Sequence, residues 1–302
     1  MSPNEERELE LKRKYWDKYR ETVRSRWNQK AVDRMMEKGS IWKLFFTRRN
    51  LHVDMQNNID RLKHEINLKP LSNDEQKFAD VFMGKDFFIV HASKADLRSN
   101  DDQRLFIYSR CRLEEKSKEE KKIEFPEYHS SPQDIERLGN DHYVFFSLEV
   151  GNTLQKKVSR FGYHFYRIPY KKENIALKHS AMVLLDQLDP KPEQTRMLNT
   201  ISSLAHKFLS DRYFERYQIC FFGIDNCLQG LLYSIILETR RWKEKSGLDK
   251  DVDVILSSRT DDEINKVING FFRPEVRVPR MLGALRGDYQ AIIDEGKLRS
   301  GF

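Results

Sequence analysis

Cysteine is scarce in this 302-residue sequence, which contains only Cys111, Cys220 and Cys227 and has no C-x-x-C pair. A disulfide framework and a structural zinc site are therefore disfavoured, and a reducing compartment fits best. No run approaches about eighteen apolar residues, so no membrane span is predicted. The first residues are charged from Glu5 onward, which does not match a Sec signal peptide.

The signature motifs of several large enzyme classes are also absent. The sequence has no phosphate-binding G-x-x-x-x-G-K-S/T loop, no G-x-S-x-G and no H-E-x-x-H. Its 33% charged and 39% hydrophobic residues nevertheless describe an ordinary globular protein. Any catalytic role must therefore come from polar residues that are scattered along the chain and gathered by the fold.

The net charge of +7 is concentrated at one end of the chain. Residues 1–69 hold 17 Lys and Arg against 11 Asp and Glu, whereas the rest holds 37 against 36. A nearly neutral main region argues against a nucleic-acid groove. The basic N-terminal region instead favours an acidic protein partner or an anionic surface.

Hydrophobic periodicity predicts helices first and a mixed region afterwards. Helices are expected over 4–38 and 41–66. The later predicted strands are DFFIVHAS, LFIYSRCRLEE, HYVFFSLEV, YHFYRIPY, YQICFFGID and DVDVILS, and the later predicted helices are 174–189, 194–212 and CLQGLLYSIILETRRWKEK. The charge run EEKSKEEKKIE is expected to form a loop or hairpin. Because strands and helices do not alternate regularly, an α+β fold is predicted rather than a doubly wound sheet.

The last segment, PRMLGALRGDYQAIIDEGKL, resembles the opening of an ankyrin repeat, with two short helices around Gly287-Asp288. One such unit cannot bury its own faces, so a truncated array is expected. The predicted regions are a helical one over 1–74, a catalytic domain over 75–278, and the start of an ankyrin domain over 279–302.

Candidate functional residues lie at the ends of the aromatic strands. His91 lies near the end of DFFIVHAS and could bind a ribose hydroxyl or adenine, although a surface or capping histidine would explain the same position. Phe145 and Phe146 should point to opposite faces, one into the core and one free to stack on a planar ring. Glu149 ends the same strand.

Two acidic positions suggest catalysis. Glu275 lies between prolines and arginines in FFRPEVRVPR, which is expected to form a stiff loop. There it could hold a substrate arginine or form an ion pair with Arg273 or Arg277. Asp186, on a predicted helix, could serve as a general base if it is buried.

The strings FFIVHASK, NDHYVFFSLEVG, RFGYHFYRIPY and FFRPEVRVPR, with the ankyrin-like tail, resemble the OspC/CopC family of type III secreted effectors over about residues 75–302. The resemblance implies an ADP-ribosyltransferase-like fold acting in the host cytoplasm. It implies an arginine ADP-riboxanase that uses NAD without a metal, modifies host caspases, is activated by host calmodulin and blocks cell death. The residues implied are Glu275, Asp186 (or Asp189) and Glu149 for catalysis, and His91, Phe145, Asp134, His164 and Phe165 for NAD.

The helix predicted over 41–66 carries a pattern typical of calmodulin targets. Trp42 and Met55 are thirteen residues apart, with Phe45 and Phe46 between them and arginines following. An anionic membrane surface or packing against the catalytic core would explain the same pattern. A plain arginine mono-ADP-ribosyltransferase and a non-enzymatic binding protein remain the alternative functions.

Overall fold

The computed structural model describes residues 51–120, 141, 143–155, 159, 161–184, 202, 205, 220–244, 247–272 and 274–294. Its first elements are α1 (Leu51–Leu68), α2 (Asn73–Met83), β1 (Phe87–Ser93), β2 (Arg104–Tyr108), α3 (Arg110–Glu120), β3 (Tyr143–Val150), β4 (His164–Pro169) and α4 (Ile175–Lys178). The later elements are β5 (Ala181–Val183), β6 (Cys220–Phe222), α5 (Ile224–Lys243), α6 (Asp249–Leu256), α7 (Asp261–Phe271), β7 (Glu275–Pro279), β8 (Met281–Leu285) and β9 (Gln290–Ile293).

The strands form one large sheet and one small sheet. The large sheet has the order β6-β5-β7-β3-β1-β4-β9, and β2 pairs with β8 in the small one. Every described strand pair is antiparallel. The predicted α+β class is therefore confirmed, because a doubly wound fold requires parallel strands joined by helices.

One face of the large sheet packs against the helices and forms the hydrophobic core. Alternate strand residues on this face are almost fully buried: Ile89, Leu148, Ile168, Val276 and Val278. The rings of Phe82 on α2 and Phe87 on β1 lie 5.1 Å apart between their centroids. Trp242 on α5 stacks on Phe271 of α7 at 5.0 Å. Burial of these large apolar side chains is the main stabilising contribution.

Helix α1 belongs to this core. Ile59, Leu62 and Ile66 recur every three or four residues and are buried, and α1 packs against α5 and β6. The helix predicted over 41–66 is confirmed from Leu51 onward. In the described part of the chain, no helix is both long and apolar enough to cross a membrane.

Two segments take a different secondary structure from the one predicted. The charge run expected in a loop lies largely in α3, where Arg110 Nε is 2.9 Å from Glu114 Oε1 one turn away. DVDVILS was expected to be a strand but lies mostly in α6. There Val252, Ile255 and Leu256 are buried together, because their i, i+3 and i+4 spacing fits one helical face.

Among the described residues of the helix predicted over 174–189, only Ile175–Lys178 are helical, and the apolar run after them enters the sheet as β5. The prediction of two short ankyrin-like helices is wrong for the described residues, which form strands instead. Leu282 and Ala284 alternate with less buried neighbours and pair with β2, and β9 pairs with β4. A period of two fits a strand, and Gly287, with φ of 100°, allows the turn before β9. Residues 281–293 therefore belong to the two sheets, through the pairing of β8 with β2 and of β9 with β4.

Candidate functional site

The face of the large sheet opposite the helical core carries polar side chains. Paired residues on neighbouring antiparallel strands share a face, so the register defines its members. The last complete row across the sheet on this face is Val183, Glu275, Ser147, Val90, Arg167 and Gln290. We call this surface the polar face; it also contains Phe145, Arg277, Glu149, Phe88 and Phe165.

The sheet divides just beyond that row. Pairing between β1 and β3 ends at Val90 and Ser147, whereas β1 continues beside β4 to Ser93 and β3 continues beside β7 to Tyr143. The two strand groups therefore separate at this point, which we call the fork. A ligand entering the fork can reach residues from both faces of the sheet.

His91 lies at the base of the fork. Its Nδ1 is 2.9 Å from the backbone oxygen of Phe145, so the side chain replaces a ladder hydrogen bond that the separated strands do not make. Burial lowers the pKa of His91, against the opposing effect of the hydrogen bond to that carbonyl. His91 is therefore neutral at pH 7, and because a carbonyl only accepts, Nδ1 carries the proton. Nε2 then has a lone pair that can accept a hydroxyl hydrogen.

Glu149 forms a buried ion pair with Arg167. Glu149 Oε2 lies 3.7 Å from Arg167 Nε, and both side chains are almost fully buried. Arg167 also stacks over the ring of Phe88 at 4.3 Å and donates from Nη1 to the carbonyl of Asn152 and to Gln290. Burial lowers the pKa of Arg167, and the charge of Glu149 opposes that shift. This network fixes one end of the polar face.

Glu275 and Arg277 form the second ion pair of this face. Glu275 Oε1 accepts hydrogen bonds from Arg277 Nε at 2.9 Å and from Nη2 at 2.8 Å. The Arg277 guanidinium lies 5.1 Å from the centre of the Phe145 ring. The Glu275 side chain is 40% exposed, whereas that of Arg277 is only 3% exposed. An accessible carboxylate thus stands at the edge of the fork, supported from below by a buried arginine.

Glu149 and Glu275 occupy diagonal positions on the adjacent strands β3 and β7. Glu275 pairs with Ser147, and Glu149 is two residues further along the same strand. Such diagonal neighbours have Cα atoms about 7–8 Å apart. The polar face therefore presents two acids and an aromatic ring within one small area.

The structure brings together some of the predicted residues and separates others. Phe145, Glu149, Phe165 and Glu275 share the polar face, and Phe146 points into the core as the alternation predicts. His91 and His164 lie on the opposite face, with His91 reaching the fork. Glu275 was expected on a stiff loop but begins β7, where it pairs with both β3 and β5. Seven predicted residues lie outside the described part of the chain, or have side chains that do: Asp134, Asp186, Asp189 and the anchors Trp42, Phe45, Phe46 and Met55.

Two buried arginines were not singled out from the sequence. Arg167 lies on the same side of its strand as Phe165, as the alternation of a strand requires. Arg277 was considered only as a surface partner for Glu275. The available signal was a charged residue at an inward position of an otherwise apolar strand, since such residues are rarely buried unless they are paired.

No group of three or more His, Cys, Asp and Glu side chains suited to a metal ion occurs within the described ranges. Among known proteins, no family model and no curated sequence matches this chain.

Proposed function

We propose that the protein is an NAD-dependent arginine ADP-riboxanase of the OspC/CopC type, delivered into the host cytoplasm by type III secretion. Its substrate would be an arginine of a host caspase, and its activator would be host calmodulin. The modification would block host cell death.

The observation that carries this proposal is the convergence of separate sequence motifs at one fork. At the fork, His91 comes from β1, Phe145 from β3, Phe165 from β4 and Glu275 from β7, whereas Glu149 lies in the part of β3 that is still paired with β1. These residues belong to the strings that resemble the effector family. A half-exposed carboxylate beside an aromatic ring also suits a planar cation, because guanidinium groups bind carboxylates and aromatic faces.

The fork offers contacts suited to NAD. The lone pair of the His91 Nε2 can accept a ribose hydroxyl, and Phe165 provides an apolar neighbour on β4. One side of the Phe145 ring is already covered by Arg277, so a nicotinamide ring would contact its other side or its edge. NAD would therefore span the opening between β1 and β3.

The proposed reaction has two steps. In the first, the bond between nicotinamide and ribose would break and nicotinamide would leave, while a guanidinium nitrogen of the substrate arginine would bond to the ribose carbon and lose one proton to solvent; Glu275 would hold and orient that guanidinium. In the second, Asp186 would take the proton of the ribose 2′-hydroxyl, whose oxygen would attack the guanidinium carbon. Asp186 would then return the proton to the departing nitrogen, which would leave as ammonia as the ring closes.

Calmodulin would bind before the part of α1 that packs on the core. Ile59, Leu62 and Ile66 are already buried against α5 and β6. The anchors proposed for calmodulin, Trp42, Phe45, Phe46 and Met55, all precede this buried stripe in the sequence. An amphipathic helix offers only one apolar face at a time, so calmodulin binding at Met55, four residues before Ile59 in the same helix, would compete with the core contacts at the start of α1.

The experiment that tests this function compares Glu275→Gln with wild type in the presence of NAD, calmodulin and a panel of caspases. Loss of the carboxylate charge should lower arginine modification by about 100-fold or more, since electrostatic groups of this kind contribute on that order. Modified peptides are quantified by mass spectrometry. Glu173→Gln is the matched control, because Glu173 is exposed and lies outside the polar face.

Full activity of a folded Glu275→Gln protein would remove Glu275 from the mechanism. The mass of the product separates the riboxanase from a plain mono-ADP-ribosyltransferase, since only the former loses ammonia. A protein that binds calmodulin but consumes no NAD with any caspase would be a binding protein instead.

A further inference from the structure

The side chain of Arg277, beside the fork, has neighbours that match the shape and charge of its guanidinium group. It lies on β7 between Phe145 of β3 and Ala181 of β5, and its paired neighbour Ala181 is fully buried. Its guanidinium stacks beside the Phe145 ring and directs two nitrogens to a single oxygen of Glu275. A small residue on one side and a ring on the other leave a flat space that fits a guanidinium.

The ion pair is asymmetric in burial. Arg277 is 3% exposed, whereas Glu275 is 40% exposed. A surface ion pair would expose both partners and contribute little, and a fully buried one would hide both. Here the cation is anchored inside the protein and the anion projects from it. This arrangement is better suited to holding the Glu275 carboxylate in place than to stabilising the fold alone.

We propose that Arg277 is a positioning residue, which fixes the Glu275 carboxylate at the edge of the fork so that it can receive a second guanidinium from the substrate. The inference rests on the proposed function for the identity of that substrate. Arg277 does not touch the substrate, and it acts by holding Glu275 Oε1 in one place. The planar guanidinium group is needed because it directs several donors at once, whereas an ammonium group makes a point contact.

The first test requires neither NAD nor a protein substrate. Arg277→Ala opens a space between Phe145 and Glu275, and free guanidinium ion should fill it. We expect low-millimolar guanidinium chloride to raise the thermal midpoint of Arg277→Ala, by ligand binding to the folded state. Sodium chloride and urea at the same concentration should not raise it. The double variant Arg277→Ala with Glu275→Gln should lose the response.

The second test measures turnover. Arg277→Ala should reduce kcat/KM for the caspase by roughly 100-fold, because small displacements of a positioning group have effects of that order. The KM for NAD should stay unchanged, and guanidinium should restore part of the activity. If Arg277→Ala fails to fold, Arg277→Lys replaces it, with a smaller loss of kcat/KM and an unaltered KM for NAD.

Arg240→Ala is the control for general destabilisation. Arg240 is another buried arginine, bonded through Nε and Nη2 to Glu75 at 2.9 Å, on the helical side of the protein. Its loss should lower stability without selectively changing kcat/KM for the caspase.

The proposal is overturned if guanidinium has no specific effect on Arg277→Ala, or if Arg277→Ala or Arg277→Lys keeps full kcat/KM. It is also overturned if the KM values for NAD and caspase rise together in Arg277→Ala, or if Arg240→Ala lowers kcat/KM for the caspase as much as Arg277→Ala does. Should the wild type modify no arginine at all, the proposed function fails, while the thermal experiment still decides whether Phe145 and Glu275 hold a guanidinium.

Discussion

Removing the Arg167 side chain should destabilise the protein more than most single substitutions. Arg167 is fully buried and its guanidinium has four kinds of partner: the ring of Phe88, the carboxylate of Glu149, the side chain of Gln290, and backbone carbonyls of residues 151–152. Arg167→Ala therefore leaves a carboxylate of 4% exposure without its countercharge. Breaking a buried pair in this way costs about 3–5 kcal/mol.

The carbonyls freed by this substitution add to the cost, since an unsatisfied buried acceptor costs about 1–3 kcal/mol. Because water can enter the vacated space, we expect about 4 kcal/mol in total, a large share of the 5–15 kcal/mol that holds a typical domain together. Urea denaturation followed by circular dichroism measures the free energy of unfolding. The dependence of the free energy of unfolding on urea concentration should be the same in the wild type and the variant if only the native state is affected.

A double-mutant cycle separates the ion pair from the packing. Glu149→Gln combined with Arg167→Met removes both charges and keeps most of the side-chain volume. The loss in free energy of unfolding should therefore be about 1–3 kcal/mol smaller than the sum of the losses in the two single variants. A loss below about 1 kcal/mol for Arg167→Ala would refute the reasoning, because that is the range of an exposed pair. Additive single effects would refute it as well.

Three further predictions follow from other parts of the chain. Burial alone would raise the pKa of Glu75, but the hydrogen bond from Arg240 brings that pKa below its usual value. The folded state therefore binds fewer protons than the unfolded state. The Glu75–Arg240 pair stabilises the protein above the ordinary carboxyl pKa, and this stabilisation is lost as pH falls through the lowered pKa of the folded state. The stability gap between wild type and Glu75→Gln, measured by urea denaturation, should accordingly narrow in acid, and a constant gap would contradict the assignment. Trp42→Ala with Phe46→Ala should weaken calmodulin binding by orders of magnitude in calorimetry, as expected for two aromatic anchors; unchanged binding would move the site elsewhere in the N-terminal region. Asp186→Ala should still attach ADP-ribose but retain the ammonia, which mass spectrometry detects; a variant that completes ring closure would exclude Asp186 as the base.

The aromatic strands were predictable because their signals are local. DFFIVHAS, HYVFFSLEV and YHFYRIPY combine β-type residues with bounded length, and all three are strands. The predictions for DVDVILS and for the segment after Pro279 were wrong because the sequence signals there do not decide the structure locally. Short apolar runs fit either period, and the choice between α6 and a strand, or between β8 and a helix, was made by tertiary partners.

The fork itself could not be predicted. The sequence indicates that His91 and Glu149 lie at strand ends, but not that β1 and β3 pair with each other and then separate. Nor could it indicate that Glu275 lies beside Ser147, because that contact joins segments more than a hundred residues apart. The buried arginines depend on the same long-range register, so their pairing followed only from the assembled sheet.

Under the proposed function, this chain would transfer ADP-ribose from NAD to a caspase arginine and then eliminate ammonia. The most direct test incubates the wild-type protein with NAD, calmodulin and a panel of purified caspases, followed by peptide mass spectrometry. We expect one caspase arginine to gain the mass of ADP-ribose less one ammonia, only when NAD and calmodulin are both present. An ADP-ribose adduct that keeps its ammonia, or the absence of any NAD-dependent arginine adduct, would contradict it.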